Sequence, residues 1–195
     1  MKMPYITLSI TGVMLTLFVL MGGAPEPLTW FANTDQSVWR LLTAHFVHSD
    51  LEHLLWNTGA FLLLGGIIEQ YSRRDLLIAL AVGVLAINCY LLTLYSLAAY
   101  IGLSGVLNTL LIVALFRLSS DSEYRDAAIW TLLLSMAKIV YELYTEHSVF
   151  SSISWIAVPE AHLVGWLAGV LLVTVQTVNY FSKNKFKRYK QVVNV

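Results

Sequence analysis

The feature that most constrains this chain is a series of apolar runs, each about as long as a bilayer is thick. Six of them can be placed, near 5–22, 50–70, 75–97, 104–118, 126–146 and 161–181. A helix needs about 20 apolar residues to cross a hydrocarbon core roughly 30 Å thick. In lipid every backbone polar group must be satisfied inside the segment, and for single apolar runs the helix does this. Composition agrees, with 57% hydrophobic and 12% charged residues and a mean hydropathy of +0.68. A soluble domain carries about 25% charged residues. The expectation is an all-α polytopic membrane protein: a six-helix bundle over 1–182, followed by a basic cytoplasmic tail over 183–195.

The basic residues orient the spans. Lys2, Arg73, Arg74, Arg117, Arg125 and the tail "KNKFKRYK" fall on one side if the spans alternate, which is ten of the twelve Lys and Arg. Basic loops stay in the cytoplasm, so both termini are expected there and the loop over 23–49 outside. The tail reads as a lipid-facing charge cluster, not as a nucleic-acid site. One cysteine, Cys89, excludes an internal disulfide and a CxxC metal site. The run from Tyr5 to Met21 is long for a signal-peptide core and is kept as a span.

Spans 2, 4 and 6 run in the same direction, so residues near their starts share a depth. In "HSDLEHLLWNTGAF", Ser49 or Asp50 suits a helix cap with Glu52 in the first turn. His53 and Asn57, four apart, lie on one face. In "VPEAHLVGWLAG", Pro159 suits a first turn and His162 follows. The fourth span is short: Ser104 to Arg117 is fourteen residues, about 20 Å of helix. It should therefore start below the outer surface, with "AAYIG" entering the membrane as non-helical backbone. Such backbone is tolerated only against protein or water. That places Ser104 in a wet pocket level with Asn57 and His162.

Each residue also has a plain structural reading. Serine and glycine at a membrane helix start usually serve close packing, as do Gly165 and Gly169 at four-residue spacing. A single intramembrane histidine is often a hydrogen-bonded structural group, although ionisable groups at such depths are functional candidates. Convergence on parallel helices favours acyl transfer. Ser104 would be the nucleophile and His162 the base, with the Asn57 amide, the His53 ring and the Ser104 backbone N–H as oxyanion donors. No acidic residue stands obviously behind His162, and Glu160 points elsewhere, so a dyad is expected. Such chemistry needs no cofactor and no metal.

The segments "WRLLTAHFVHSDLEHLLWN" (39–57), "GGIIE" (65–69), "GLSG" (102–105) and "AHLVGWLAG" (161–169) together resemble the rhomboid intramembrane serine proteases. The resemblance implies Ser104 as nucleophile, His162 as general base, and His53 and Asn57 as oxyanion-hole donors. Gly102, Gly105 and His48 would support the site, and Trp39 and Arg40 match a loop pair at the outer-leaflet edge. The chain departs from the family pattern at Asn108, where an aromatic residue is common, and at Ile112, where glycine is favoured. Asn108 is expected to hydrogen-bond His162 instead. The implied substrates are single-pass or C-terminally anchored membrane proteins, and the setting a bacterial inner membrane with the site open to the outer face. The minimal six-span form is similar to rhombosortases, which implies exported substrates with a C-terminal Gly-Gly motif, an apolar helix and a basic end.

Lys138 and Glu142, four apart in the fifth span, form either an ion pair within their helix or a substrate gate that lines the way in. The gate is the reading carried forward, because a charge at that depth needs a partner or water. Two rivals to a protease remain at this stage. One is an inactive rhomboid-like binding protein. The other is a metal or proton transporter using His45, His48 and His53.

Overall fold

The computed structural model describes residues 3–22, 24–31, 37–93, 99–145, 149 and 158–193, with side chains described as far as Ser182. Seven helices are found among them: α1 (Tyr5–Met21), α2 (Arg40–Thr43), α3 (Leu51–Tyr71), α4 (Arg73–Thr93), α5 (Ser104–Leu118), α6 (Ser122–Thr145) and α7 (Pro159–Val193). Two short strands, β1 (Trp30–Phe31) and β2 (Ala99–Tyr100), pair antiparallel with Trp30 opposite Tyr100. By length and composition α3, α4, α6 and α7 (to Ser182) can cross a membrane, while α1 and α5 are apolar but shorter. The protein is thus an all-α polytopic membrane protein. Large apolar side chains such as Leu63, Leu85, Trp130, Leu134 and Leu171 stay exposed on the outer faces. Among lipid tails such surface has nothing to gain from burial.

The shortest of these apolar helices, α5, is the centre of the bundle. At 15 residues it is about 22 Å long, and it contacts α3, α4, α6 and α7. A helix that is hydrophobic all round belongs in a core. Accordingly Val106, Leu107, Leu110, Val113 and Ala114 are buried. Its most extensive contact is with α7, and small residues make that contact possible. A methyl group at Gly165 would overlap the Gly105 carbonyl, and one at Gly169 would press on Ile112. Thr109 Oγ1 donates across the seam to the Gly165 carbonyl at 2.8 Å. Ile112, where glycine is favoured, is therefore accommodated by Gly169.

Two carboxylates, one buried and one partly exposed, tie the remaining helices. The Glu69 carboxylate, at the end of α3, accepts from Ile6 N–H, Thr7 N–H and the Thr7 hydroxyl at 2.9–3.1 Å. It thereby satisfies first-turn donors of α1 that have no partner within that helix. Asp75 at the start of α4 pairs with Arg117 at the end of α5. The structure also modifies the expected boundaries. α6 begins at Ser122, ahead of the expected 126, and α7 runs unbroken to Val193, so the expected division at 182 falls inside one helix. No proline or glycine interrupts 183–193.

Candidate active site

Backbone geometry delivers Ser104 to its position. β2 is held by β1, the Tyr100 hydroxyl donates to the Gly102 carbonyl at 3.1 Å, and Gly102 N–H donates to the Ala44 carbonyl at 2.8 Å. The segment therefore enters as extended chain, as the short fourth span requires, and turns into α5 at Ser104. Gly102 makes the turn at φ +101°, and any Cβ there would sit 2.5 Å from the His53 ring. Only glycine combines that backbone angle with that closeness. Ser104 then opens α5, where a backbone N–H has no carbonyl of its own helix to bond.

His162 lies in the first turn of α7, and the α5–α7 seam brings its Nε2 to 3.0 Å from Ser104 Oγ. On the other side of the ring, Nδ1 is 2.9 Å from Glu142 Oε2. Here the expectation that no acid stands behind His162 is corrected. Glu142 comes from α6, is fully buried, and also takes the Lys138 ammonium on Oε2 at 2.7 Å. Its Oε1 accepts from Val149 N–H at 3.1 Å. The Glu142 carboxylate is completely covered while Lys138 keeps 25% of its side chain exposed, so of the expected gate pair Lys138 is the member with surface open to an arriving substrate. The ion-pair reading of Lys138 and Glu142 describes the contact, but it omits the histidine.

A second correction concerns Asn108. Its amide donates to the Ser104 carbonyl at 2.9 Å, one turn back on α5, and not to His162. Both ring nitrogens of His162 are already engaged, Nδ1 by Glu142 and Nε2 by Ser104.

The α3 side is organised from its cap. Asp50 Oδ1 accepts from His53 N–H at 2.8 Å, and Ser49 Oγ bridges Asp50 Oδ2 (2.8 Å) and His53 Nδ1 (3.2 Å). This leaves His53 Nε2 as the nitrogen turned toward Gly102. Asn57, on the same buried face, gives one amide N–H to the His53 carbonyl at 2.9 Å, and its Oδ1 has no partner among the described residues. An amide nitrogen carries two donors, so one remains for a ligand. His48 stacks edge-on against His53. Neither of its ring nitrogens has a partner among the described residues. Desolvation by burial lowers His48 to about 3 and His45 to about 4, so both loop histidines are neutral at ordinary pH. His45 is turned away, its Nε2 on Asn88 Oδ1 at 3.0 Å, and Trp39 lies under the Arg40 guanidinium. No three His, Cys, Asp or Glu side chains converge to hold a metal ion among the described residues.

The Rhomboid domain profile matches residues 35–178, most of the chain. The chain belongs to the rhomboid family. Among its relatives, the Rhomboid protease GlpG of Haemophilus influenzae is 35% identical over 81 residues, 42% of each chain. The Rhomboid protease GlpG of Salmonella paratyphi A is 27% identical over 176 residues, covering 90% of this rhomboid and 59% of the relative. The chain thus spans no more than about three-fifths of the length of these curated relatives.

Two features of this rhomboid's site were missed by sequence reasoning. The role of Glu142 had one available signal, a carboxylate in the middle of an apolar span, which is costly unless it meets a partner. The Ser49–Asp50–His53 bridge had another, the capping residues themselves, but capping alone did not reveal that the ring is held as well.

Proposed function

We propose that this rhomboid is an intramembrane serine endopeptidase that hydrolyses a peptide bond in or near the transmembrane segment of a membrane-anchored protein. The observation that carries this reading is Ser104 Oγ at 3.0 Å from His162 Nε2 inside an apolar bundle. His162 accepts the Ser104 proton as Oγ attacks the substrate carbonyl carbon. Negative charge builds on the carbonyl oxygen, where the Ser104 N–H and the second Asn57 N–H are the available donors, and the His53 ring joins them when its Nε2 carries a proton. His162 then returns its proton to the leaving amine, and an acyl-enzyme forms on Ser104. Water, deprotonated by His162, releases the new carboxylate and restores the serine.

The charge asymmetry of the loops supports cytoplasmic termini and hence a site reached by water from the outer face; the reading takes a bacterial inner membrane as the setting. The reading includes single-pass or C-terminally anchored substrates, and first among them exported proteins ending in a Gly-Gly motif, an apolar helix and a basic tail. Co-expression of tagged substrates of this kind with the wild type, Ser104→Ala and His162→Ala tests it. The expected result is a shortened product with the wild type alone. Substrate bound and co-purified but cut by none of the three would instead make the chain a binding protein.

A further inference from the structure

Resting on that reading, the structure points to a third participant: we propose that Glu142 acts as a positioning residue behind His162, completing a Ser104–His162–Glu142 relay. Four observations support it. First, Oε2 lies 2.9 Å from Nδ1 while Nε2 lies 3.0 Å from Ser104 Oγ, so the ring is held at both nitrogens. An ionised carboxylate only accepts hydrogen bonds. Nδ1 must therefore carry the ring proton, and Nε2 is left with the lone pair that a base needs. A histidine without this partner has no such preference between its two neutral forms.

Second, Glu142 cannot be explained by Lys138 alone. A surface-type pair between residues four apart contributes little, whereas this carboxylate is 0% exposed and gives Oε2 to both Lys138 and His162. Third, Oε1 is fixed by Val149 N–H from the chain beyond α6, so the carboxylate is aimed by backbone as well as by charge. Fourth, the helices are joined beside it. Trp166 Nε1 on α7 donates to Ser135 Oγ on α6 at 3.1 Å, one helical turn from His162 along α7 and about two from Glu142 along α6.

In the reaction Glu142 forms and breaks no bond. It keeps its charge while His162 gains and loses the proton on Nε2, and it stabilises the imidazolium in between. Lys138 supplies the countercharge that lets a carboxylate be buried at this depth. Besides Glu142 and Lys138 from α6, His53 of α3 is a titratable group near enough to His162 to interact with it electrostatically. The α5 group in contact is Ser104, and Glu160 of α7 is coupled to Tyr90 of α4.

The test compares wild type, Glu142→Gln and Glu142→Asp in lipid nanodiscs by cleavage kinetics and by the rate at which a fluorophosphonate labels Ser104. Gln keeps the shape and removes the charge, and loss of a carboxylate behind a catalytic imidazole costs roughly 10⁴-fold in turnover. The expected result for Glu142→Gln is a fall of that size in kcat with KM unchanged, slower labelling, and an acid limb of the pH–rate profile moved to lower pH. Glu142→Asp should recover part of the rate. Glu142→Gln within about threefold of wild type, with an unmoved acid limb, overturns the relay. If Glu142→Gln does not fold, Lys138→Met provides the measurement: a displaced acid limb supports the relay and an unmoved one overturns it. A wild type that the reagent never labels at Ser104 defeats the serine reading itself, while equal labelling of wild type and Glu142→Gln defeats only the role of Glu142.

Discussion

On the α6–α7 side of Ser104, both nitrogens of the His162 ring have partners, and the carboxylate beyond it is held at both oxygens. On the α3 side, Asn57 Oδ1 and both nitrogens of His48 are buried without partners among the described residues. A buried polar group left unpaired costs about 1–3 kcal/mol. One side of the site is thus complete before substrate arrives, and the other keeps a donor in reserve, the second Asn57 amide N–H, that an incoming carbonyl can use. The difference matches the two tasks of an acyl transfer. A base must be poised in one tautomer from the outset, whereas oxyanion donors are needed only as charge develops.

The comparison can be broken in order of expected effect. Removing the complete side, by Ser104→Ala or His162→Ala, should lower turnover by at least about 10³-fold, read as product in a gel-based cleavage assay. Removing a donor from the open side, by His53→Ala or Asn57→Ala, should cost about 10²–10³-fold in kcat, with KM little changed. If both losses fall on KM, the α3 residues bind substrate rather than its transition state. Gly165→Ala pushes a methyl group into the Gly105 carbonyl. It should therefore separate α5 from α7, destabilise by about 1–3 kcal/mol in a thermal scan, and slow cleavage by moving His162 off Ser104.

A smaller effect sharpens the comparison through pH. His45 and His48 titrate at about 4 and about 3 in the folded protein, against 6.5 for the free side chain. The unfolded chain therefore binds more protons between these values, and stability rises with pH across that window. The contribution is complete above about 6.5 and is lost as pH falls toward 4 and then 3. Each histidine removes up to roughly 1.4 kcal/mol per pH unit. Unfolding scans at pH 7.5, 6 and 5 should show the decline, and the double variant His45→Gln, His48→Gln should flatten it. Smallest of all, Asn108→Ala should leave cleavage within about twofold, because the amide only returns a bond to its own helix.

Much of this was legible in the chain, and the reason differs by residue. Ser104 and His162 sit at the starts of parallel spans, so depth follows from counting residues, and the short α5 could be inferred from the distance between "GLSG" and Arg117. Residues on one helix are related by its 3.6-residue turn, and Lys138 with Glu142 was readable in that way. The rotation of α6 about its own axis is set by its neighbours, so spacing did not show that the face bearing Glu142 turns toward His162, twenty residues on. The same holds for Glu69, which reaches back across more than sixty residues to cap α1. Asn108 was misjudged because the partner that displaces it comes from another helix.

The account rests most heavily on Ser104 being a nucleophile activated by His162, and peptide-level mass spectrometry of a fluorophosphonate adduct tests this directly. In nanodiscs the wild type should carry one adduct, on the peptide containing Ser104, and His162→Ala should carry almost none. An adduct on any other residue, or undiminished labelling of Ser104 in His162→Ala, would contradict it.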